Sequence, residues 1–334
     1  MRYRKLGNTD LELSEIGFGV WTVSAGWWGQ YSEEEVADLL RRALELGITF
    51  FDTGDSYGNG RGETVLAKAF GQHRQQVVIG TKFGYDIYSD PDENRGQRER
   101  PHDWSPQFVR FALEQSLARL ATDYVDLYQL HNPRMDAVER DDLFELLDRL
   151  RDEGKIRAYG AALGPAIGGT EHGDQVLAVR RLDSLQIIYN LLEQDPGRRF
   201  FPTAREHGVG VLVRVPHSSG LLEGKYTPET TFPPEDHRSH RPREWLIDGL
   251  KKIERLKFLY EARDLTLGQA ALKWVLAEPS VTSTQPNIYN LEQLEEFAAA
   301  ADKPDLSADD LARVAELYER NFYPELAPSP TGRE

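Results

Sequence analysis

Phe50-Phe51-Asp52-Thr53-Gly54-Asp55-Ser56-Tyr57-Gly58 runs from an apolar strand straight into a loop that carries an acid and a phenol. The β-branched and aromatic run Ile48-Thr49-Phe50-Phe51 follows the helix-ending Gly47, so it reads as a buried strand whose carboxyl end is Asp52. Asp52 and Tyr57 then share one strand-to-helix loop. In a β/α barrel the chemistry sits at that end of the strands, and the opposite end serves stability. A phenol normally ionises at about pH 10, so it donates a proton at neutral pH only where a nearby cation stabilises its phenolate.

Two later strands supply the partners. Val77-Val78-Ile79-Gly80-Thr81-Lys82 is an apolar run that ends on a lysine, and Tyr124-Val125-Asp126-Leu127-Tyr128-Gln129-Leu130-His131 ends on a histidine. Asp52, Tyr57, Lys82 and His131 therefore form a charge-coupled set at three consecutive strand ends. Asp52 would hold Lys82, Lys82 would stabilise the phenolate of Tyr57, and His131 would orient a carbonyl. Such a set suits proton donation to a carbonyl oxygen. Each residue alone would read as a polar loop cap. A metal site is disfavoured, because Asp52 and His131 lack companion ligands at recognised spacing and Lys82 would repel a cation.

The remaining chain alternates short apolar strands with helices and has no Pro/Ser-rich linker, which predicts one α/β domain over residues 1–334. Residues 3–14 alternate around Gly7-Asn8-Thr9-Asp10 and read as a hairpin, with 1–14 as a cap and 302–334 as a C-terminal helix and tail. Strands are predicted at about 15–20, 48–51, 77–82, 124–130, 156–161, 185–189, 209–213 and 281–284. Helices are predicted at about 33–46, 62–70, 105–120, 141–153, 248–261, 266–277, 290–300 and 307–319. Ser32-Glu33-Glu34-Glu35 has capping-box spacing, and Ser105-Pro106 reads as an N-cap with a first-turn proline. The polar excursion at 86–104 exceeds an ordinary βα loop. Within the second long connection, 232–245, the row Asp236-His237-Arg238-Ser239-His240-Arg241 reads as a solvated, charged loop, with contact to a polar or anionic ligand as the alternative.

Composition narrows the partners. The 334 residues carry a formal net charge of −15 and no cysteine. Nucleic acid and anionic membrane are disfavoured, since both require a basic surface. Disulfides, thiol nucleophiles and cysteine-metal sites are excluded. No secretory leader or long apolar run is present, so a cytoplasmic location is expected.

Seven pieces in order, spread across nearly the whole chain, resemble the aldo-keto reductase family. They are Lys5-Leu6-Gly7-Asn8-Thr9, Gly17-Phe18-Gly19, Phe51-Asp52-Thr53 with Tyr57-Gly58, Thr81-Lys82-Phe83-Gly84, Gln129-Leu130-His131-Asn132-Pro133, Gln186 with Tyr189-Asn190, and Gly220-Leu221-Leu222 with Gly224-Lys225-Tyr226. The resemblance implies a (β/α)8 TIM barrel with an N-terminal β-hairpin cap and extra C-terminal helices. It also implies NADP or NAD bound in extended form. By the same resemblance the catalytic residues are Tyr57, Asp52, Lys82 and His131. The cofactor residues are Gln186, Arg214, Pro216, Gly220, Lys225, Asn287, Tyr289 and Gln293. Trp21 and Trp28, with His131, are expected to line a substrate pocket, packing under a loop being the alternative for the tryptophans.

The chain departs from the family pattern at the cofactor end. Gly160-Ala161-Ala162-Leu163 stands where the family has Gly-Val-Ser-Asn, whose polar pair holds the nicotinamide carboxamide. Arg214 replaces the aromatic that commonly stacks on the nicotinamide ring. Tyr289 occupies the place of an Arg or Lys for the adenosine 2′-phosphate, and Phe297 that of an Asn, while Gln293 is retained. The missing basic residue weakens a preference for NADP, because a phosphate dianion wants Arg or Lys. The expected function is reversible NAD(P)-dependent reduction of a carbonyl, aldehyde or ketone, in a small polar metabolite, a sugar-like compound being one such substrate. The alternatives are non-redox acid/base chemistry (elimination or epimerisation) on the same fold, and a non-enzymatic regulatory or binding subunit.

Overall fold

A computed structural model describes residues 1–89, 99–164, 169–323 and 325. Its strands are β1 (Tyr3–Lys5), β2 (Glu12–Ser14), β3 (Phe18–Gly19), β4 (Phe50–Asp52), β5 (Val78–Phe83), β6 (Val125–His131), β7 (Ile156–Ala162), β8 (Ser184–Ile188), β9 (Gly210–Arg214) and β10 (Val281–Gln285). β3 to β10 pair in chain order, each parallel to the next. Ile16 bridges Thr284, with Thr284 N donating to the Glu15 carbonyl at 2.8 Å and Gly17 N to the Thr284 carbonyl at 2.9 Å. These bonds bring the last strand round to the first, and the architecture is the expected (β/α)8 barrel.

β1 and β2 form the expected antiparallel hairpin, in register from Tyr3 opposite Ser14 to Lys5 opposite Glu12. Leu6, Leu11 and Leu13 are buried with Phe50, Leu127, Ala158 and Leu212, side chains of β4, β6, β7 and β9. The hairpin thus plugs the amino end of the barrel, each buried leucine contributing about 1.5–3 kcal/mol of apolar transfer. Gly7 makes the close approach possible. Its φ is +53°, and a Cβ there would lie 2.3 Å from the Gly208 carbonyl oxygen.

The helix starts follow from capping chemistry. Ser32 and Glu35 close a capping box on Glu33–Glu45, and Ser105 caps Pro106–Leu120 with proline in the first turn. Helices Arg61–Phe70, Asp141–Asp152, Leu267–Leu276, Leu291–Ala299 and Ala308–Glu319 also stand where the pattern places them. The helix predicted at 248–261 runs earlier, Arg243–Glu254, followed by a 3-10 turn at Lys257–Leu259. Two long helices, and the one-turn helices Trp21–Ser24 and Met135–Val138, lie outside the predicted set. Gly169–Val179 opens on two glycines among polar residues, and Asp195–His207 contains Gly197 and Pro202, residues that read as breakers. In the latter, burial of Phe200, Phe201 and Ala204 against the barrel outweighs the local propensity.

Candidate active site

The carboxyl ends of β4, β5, β6, β8 and β9 converge on one polar cluster. Asp52 ends β4 and is buried; Lys82, next to last in β5, is 1% exposed. The Lys82 ammonium donates to Asp52 Oδ1 and, at 2.6 Å, to the Thr53 carbonyl. Burial alone would push that ammonium down, but Asp52 and Tyr57 outweigh it and hold it above its ordinary value. The second Asp52 oxygen accepts from Gln129 Nε2 at 2.8 Å and Gln186 Nε2 at 3.0 Å. Asp52 is therefore held by side-chain donors from three other strands.

Tyr57 lies half-buried in the turn between β4 and helix Arg61–Phe70, its ring centroid 4.8 Å from Lys82 Nζ. His131 ends β6, edge-on to the Tyr57 ring at 5.7 Å and to the Tyr85 ring at 4.8 Å. Its Nδ1 is 3.4 Å from Ser56 Oγ, and His102 Nε2 donates to its carbonyl at 3.0 Å. Burial, with Lys82, Arg214 and His102 adding repulsion, pushes the His131 imidazole well below its usual range. It is neutral at physiological pH. The four residues singled out at three strand ends thus share one site.

Arg214, at the end of β9, reaches the Leu163 carbonyl through Nη2 at 2.5 Å, and its Nε has no partner. Burial lowers its guanidinium, while Tyr57, Asp52, Tyr85 and Glu193 act the other way. Arg214 thereby supplies a polar group beside Ala162 and Leu163, whose side chains offer none. The backbone beyond it is strained: Val215, a β-branched residue, has φ +56°. Asn190 Nδ2 donates to the Val215 carbonyl at 3.1 Å and to Glu193 Oε2 at 2.7 Å, and Ser218 Oγ donates to the same Glu193 oxygen at 3.2 Å. These bonds hold the strained turn, in which Pro216 is buried.

The remaining cofactor candidates extend from this turn toward β10. Gly220 has φ +93°, with the Tyr226 hydroxyl 2.1 Å from where a Cβ would stand. Lys225 is exposed, 3.8 Å from Glu292. Asn287 Oδ1 accepts from Thr22 Oγ1 at 3.3 Å. Gln293 is buried, its Oε1 accepting from Tyr289 N at 3.2 Å and its Nε2 donating to Glu223 Oε2 at 2.9 Å. Gln186, in contrast, turns its amide nitrogen to Asp52 and Gln129. Buried polar atoms without a partner in this region include Arg214 Nε, His217 Nδ1, Gln285 Nε2 and Glu223 Oε1. They fit an extended ligand rich in hydrogen-bonding groups, as a dinucleotide is.

Around the mouth, Asp236, His237 and Arg238 of the 232–245 loop are half-buried, while Ser239, His240 and Arg241 are exposed as a solvated loop would have them. His237 stacks on Trp27 at 5.8 Å with the rings 7° from parallel and meets Trp21 edge-on at 5.2 Å; its N donates to the Trp27 carbonyl at 3.1 Å. Arg238 lies 4.2 Å over the Trp28 ring and is gripped by both Asp236 oxygens at 2.8 and 2.6 Å. Cation–π stacking and a bidentate pair outcompete solvation here. Trp28 is accordingly 8% exposed and packs beneath the loop, whereas Trp21 stays half-buried. Of the 86–104 excursion, residues 90–98 lie outside the described ones. Its end folds back, with His102 bridged to Tyr85 and stacked between Tyr85 and Trp104.

Gln129 stands two residues before His131, so the period of a strand aims both side chains inward. Asp55 is fully buried beside the cluster, and burial, with Glu63 adding repulsion, raises its carboxyl well above the usual range. Among the described residues no group of three or more His, Cys, Asp or Glu is placed to hold a metal, and no helix is long and apolar enough to cross a membrane.

A family model described as the Aldo/keto reductase family matches residues 15–319. The chain is 32% identical over 290 residues to the aldo-keto reductase YhdN of Bacillus subtilis, covering 84% of this chain and 82% of that protein. It is 29% identical over 338 aligned residues to the NADH-specific methylglyoxal reductase of Escherichia coli, covering 96% and 100%. Among solved structures, the holo form of aldo-keto reductase AKR11C1 from Bacillus halodurans aligns over 100% of both chains with a TM-score of 0.76 and 29% identity.

Proposed function

The chain belongs to the aldo/keto reductase family of carbonyl oxidoreductases, and we propose that it uses NAD(P)H to reduce the carbonyl of a small, polar metabolite, with Tyr57 as the general acid. The observation that carries this reading is the shared site of Asp52, Lys82, Tyr57 and His131 at the ends of consecutive strands. The reduced nicotinamide supplies the hydride when bound. Tyr57 gives its proton to the carbonyl oxygen in reduction and takes it back in oxidation. Lys82, fixed by Asp52 and the Thr53 carbonyl, stabilises the phenolate left behind. Neutral His131 donates a hydrogen bond to the carbonyl oxygen as charge develops there, without adding a cation that would compete with Lys82.

Pro216, Gly220, Lys225, Asn287, Tyr289 and Gln293 would hold the dinucleotide, with Arg214 at its nicotinamide end in place of the usual aromatic. Gln186 serves by orienting Asp52, which leaves its amide oxygen for the carboxamide. Trp21 offers a wall for the substrate beside His131, and Trp28 supports that wall from beneath.

Titration of the purified protein with NADPH, NADH and their oxidised forms, followed by fluorescence, tests the reading. Saturable binding of a reduced form and turnover of a carbonyl panel are expected. Absence of binding for all four, with none co-purified, would overturn it and turn attention to non-redox acid/base chemistry at Tyr57.

A further inference from the structure

Glu223 is the residue in the cofactor region that the family pattern does not account for. It follows the Gly220-Leu221-Leu222 turn, is 7% exposed, and has one oxygen engaged by Gln293 and the other without a partner. The Gln293 amide cannot turn away. Its oxygen is held by Tyr289 N, and its own N donates to Asn290 Oδ1 at 2.8 Å, so its nitrogen is committed to Glu223. Gln293, hydrogen-bonded to it, and Lys225 and Tyr289, close enough to act on it electrostatically, are among the residues proposed to hold the dinucleotide. Glu223 also borders a cavity of about 700 Å³ whose walls include Leu221, Tyr226, Leu250, Tyr260 and Leu267. A buried carboxylate oxygen with no donor is costly unless a ligand supplies one.

We propose that Glu223 selects the dinucleotide that lacks a 2′-phosphate, its free oxygen accepting a hydrogen bond from a ribose hydroxyl of the adenosine. The inference rests on the cofactor reading above. A carboxylate that meets a ribose 2′-hydroxyl accepts a hydrogen bond from it and repels a phosphate at the same place. Of the two cations that act on Glu223, Arg238 is paired with Asp236 and Lys225 lies 3.8 Å from Glu292. Tyr289, standing where a basic residue would read the phosphate, offers a phenol and no charge. Glu296, whose Oε1 accepts from Thr266 Oγ1, adds a second acid to the neighbourhood.

Calorimetric titration with ADP-ribose and 2′-phospho-ADP-ribose isolates the adenosine end from the catalytic chemistry. The wild type should bind ADP-ribose at least about tenfold more tightly, and Glu223→Gln and Glu223→Ser should both shrink that preference about tenfold. Equal affinities in the wild type, tighter binding of the phosphorylated compound, or an unchanged ratio in both variants would overturn the proposal. So would binding of NADH with no binding of ADP-ribose. If NADH, NADPH and both fragments all fail to bind the wild type, the cofactor reading itself falls with it.

Discussion

The ammonium of Lys82 stands 4.8 Å from the centre of the Tyr57 ring while it donates to the Asp52 carboxylate. One cation thereby faces a fixed anion on one side and an ionisable phenol on the other. Tyr57→Phe removes the phenol and leaves the pair intact, so turnover should fall by about 10²-fold or more with the unfolding midpoint little changed. Steady-state kinetics beside a denaturant melt check this. Wild-type turnover in the variant would exclude Tyr57 as the acid.

Asp52 holds Lys82 in a place with almost no solvent. Asp52→Ala should leave a buried ammonium uncompensated and cost about 3–5 kcal/mol. Chemical denaturation measures this directly. The same experiment on Lys82→Met should show a smaller loss, because Asp52 keeps the amides of Gln129 and Gln186.

His131 has an imidazole pushed well below its usual range by burial, so the folded protein binds fewer protons there than the unfolded chain. Stability should therefore fall as pH drops below about 6.5. His102, His217 and His237, also lowered, act in the same sense. His131→Gln should make the acid-side slope of stability shallower, and a slope equal to that of the wild type would contradict the assignment.

Glu223 titrates with the opposite consequence. Burial pushes its carboxyl up to about 7, against the cations Arg238 and Lys225, so the folded state binds more protons than the unfolded one. Stability from this group is complete below about pH 4.5 and is lost as pH rises to about 7, a difference of about 3 kcal/mol. Glu223→Gln should remove that component. Melting temperatures across this range for both proteins report it.

The sequence showed the barrel and the chemistry most clearly where local pattern and tertiary role agree. Asp52 and His131 end apolar strands and Lys82 is next to last in one, places that the apolar runs before them mark. Capping residues such as Ser32 and Ser105 are equally local. Helix Asp195–His207 was hidden because its stability comes from Phe200 and Phe201 packing on the barrel, while Gly197 and Pro202 speak against a helix. The clamp of His237 and Arg238 on the tryptophans was hidden for a related reason. Two loops about 210 residues apart supply its halves, and each alone reads as polar or aromatic surface. The direction of the Gln186 amide was out of reach as well, since it depends on Asp52 and Gln129 arriving from other strands.

The barrel is completed by bonds between Glu15-Ile16-Gly17 and Thr284, and Arg2 pairs with Asp305 across 303 positions of chain. Such long separations make ring closure the slow, entropically demanding part of folding. Until β10 is available, β3 and β9 both present unpaired backbone edges. A nascent or truncated chain that stops short of β10 is therefore an open sheet prone to edge-to-edge association. Its Asp52 and Lys82 can meet, since β4 and β5 are neighbours, but the wall that keeps water from them is missing. Competence for chemistry in this molecule arrives late in synthesis, with its last strand.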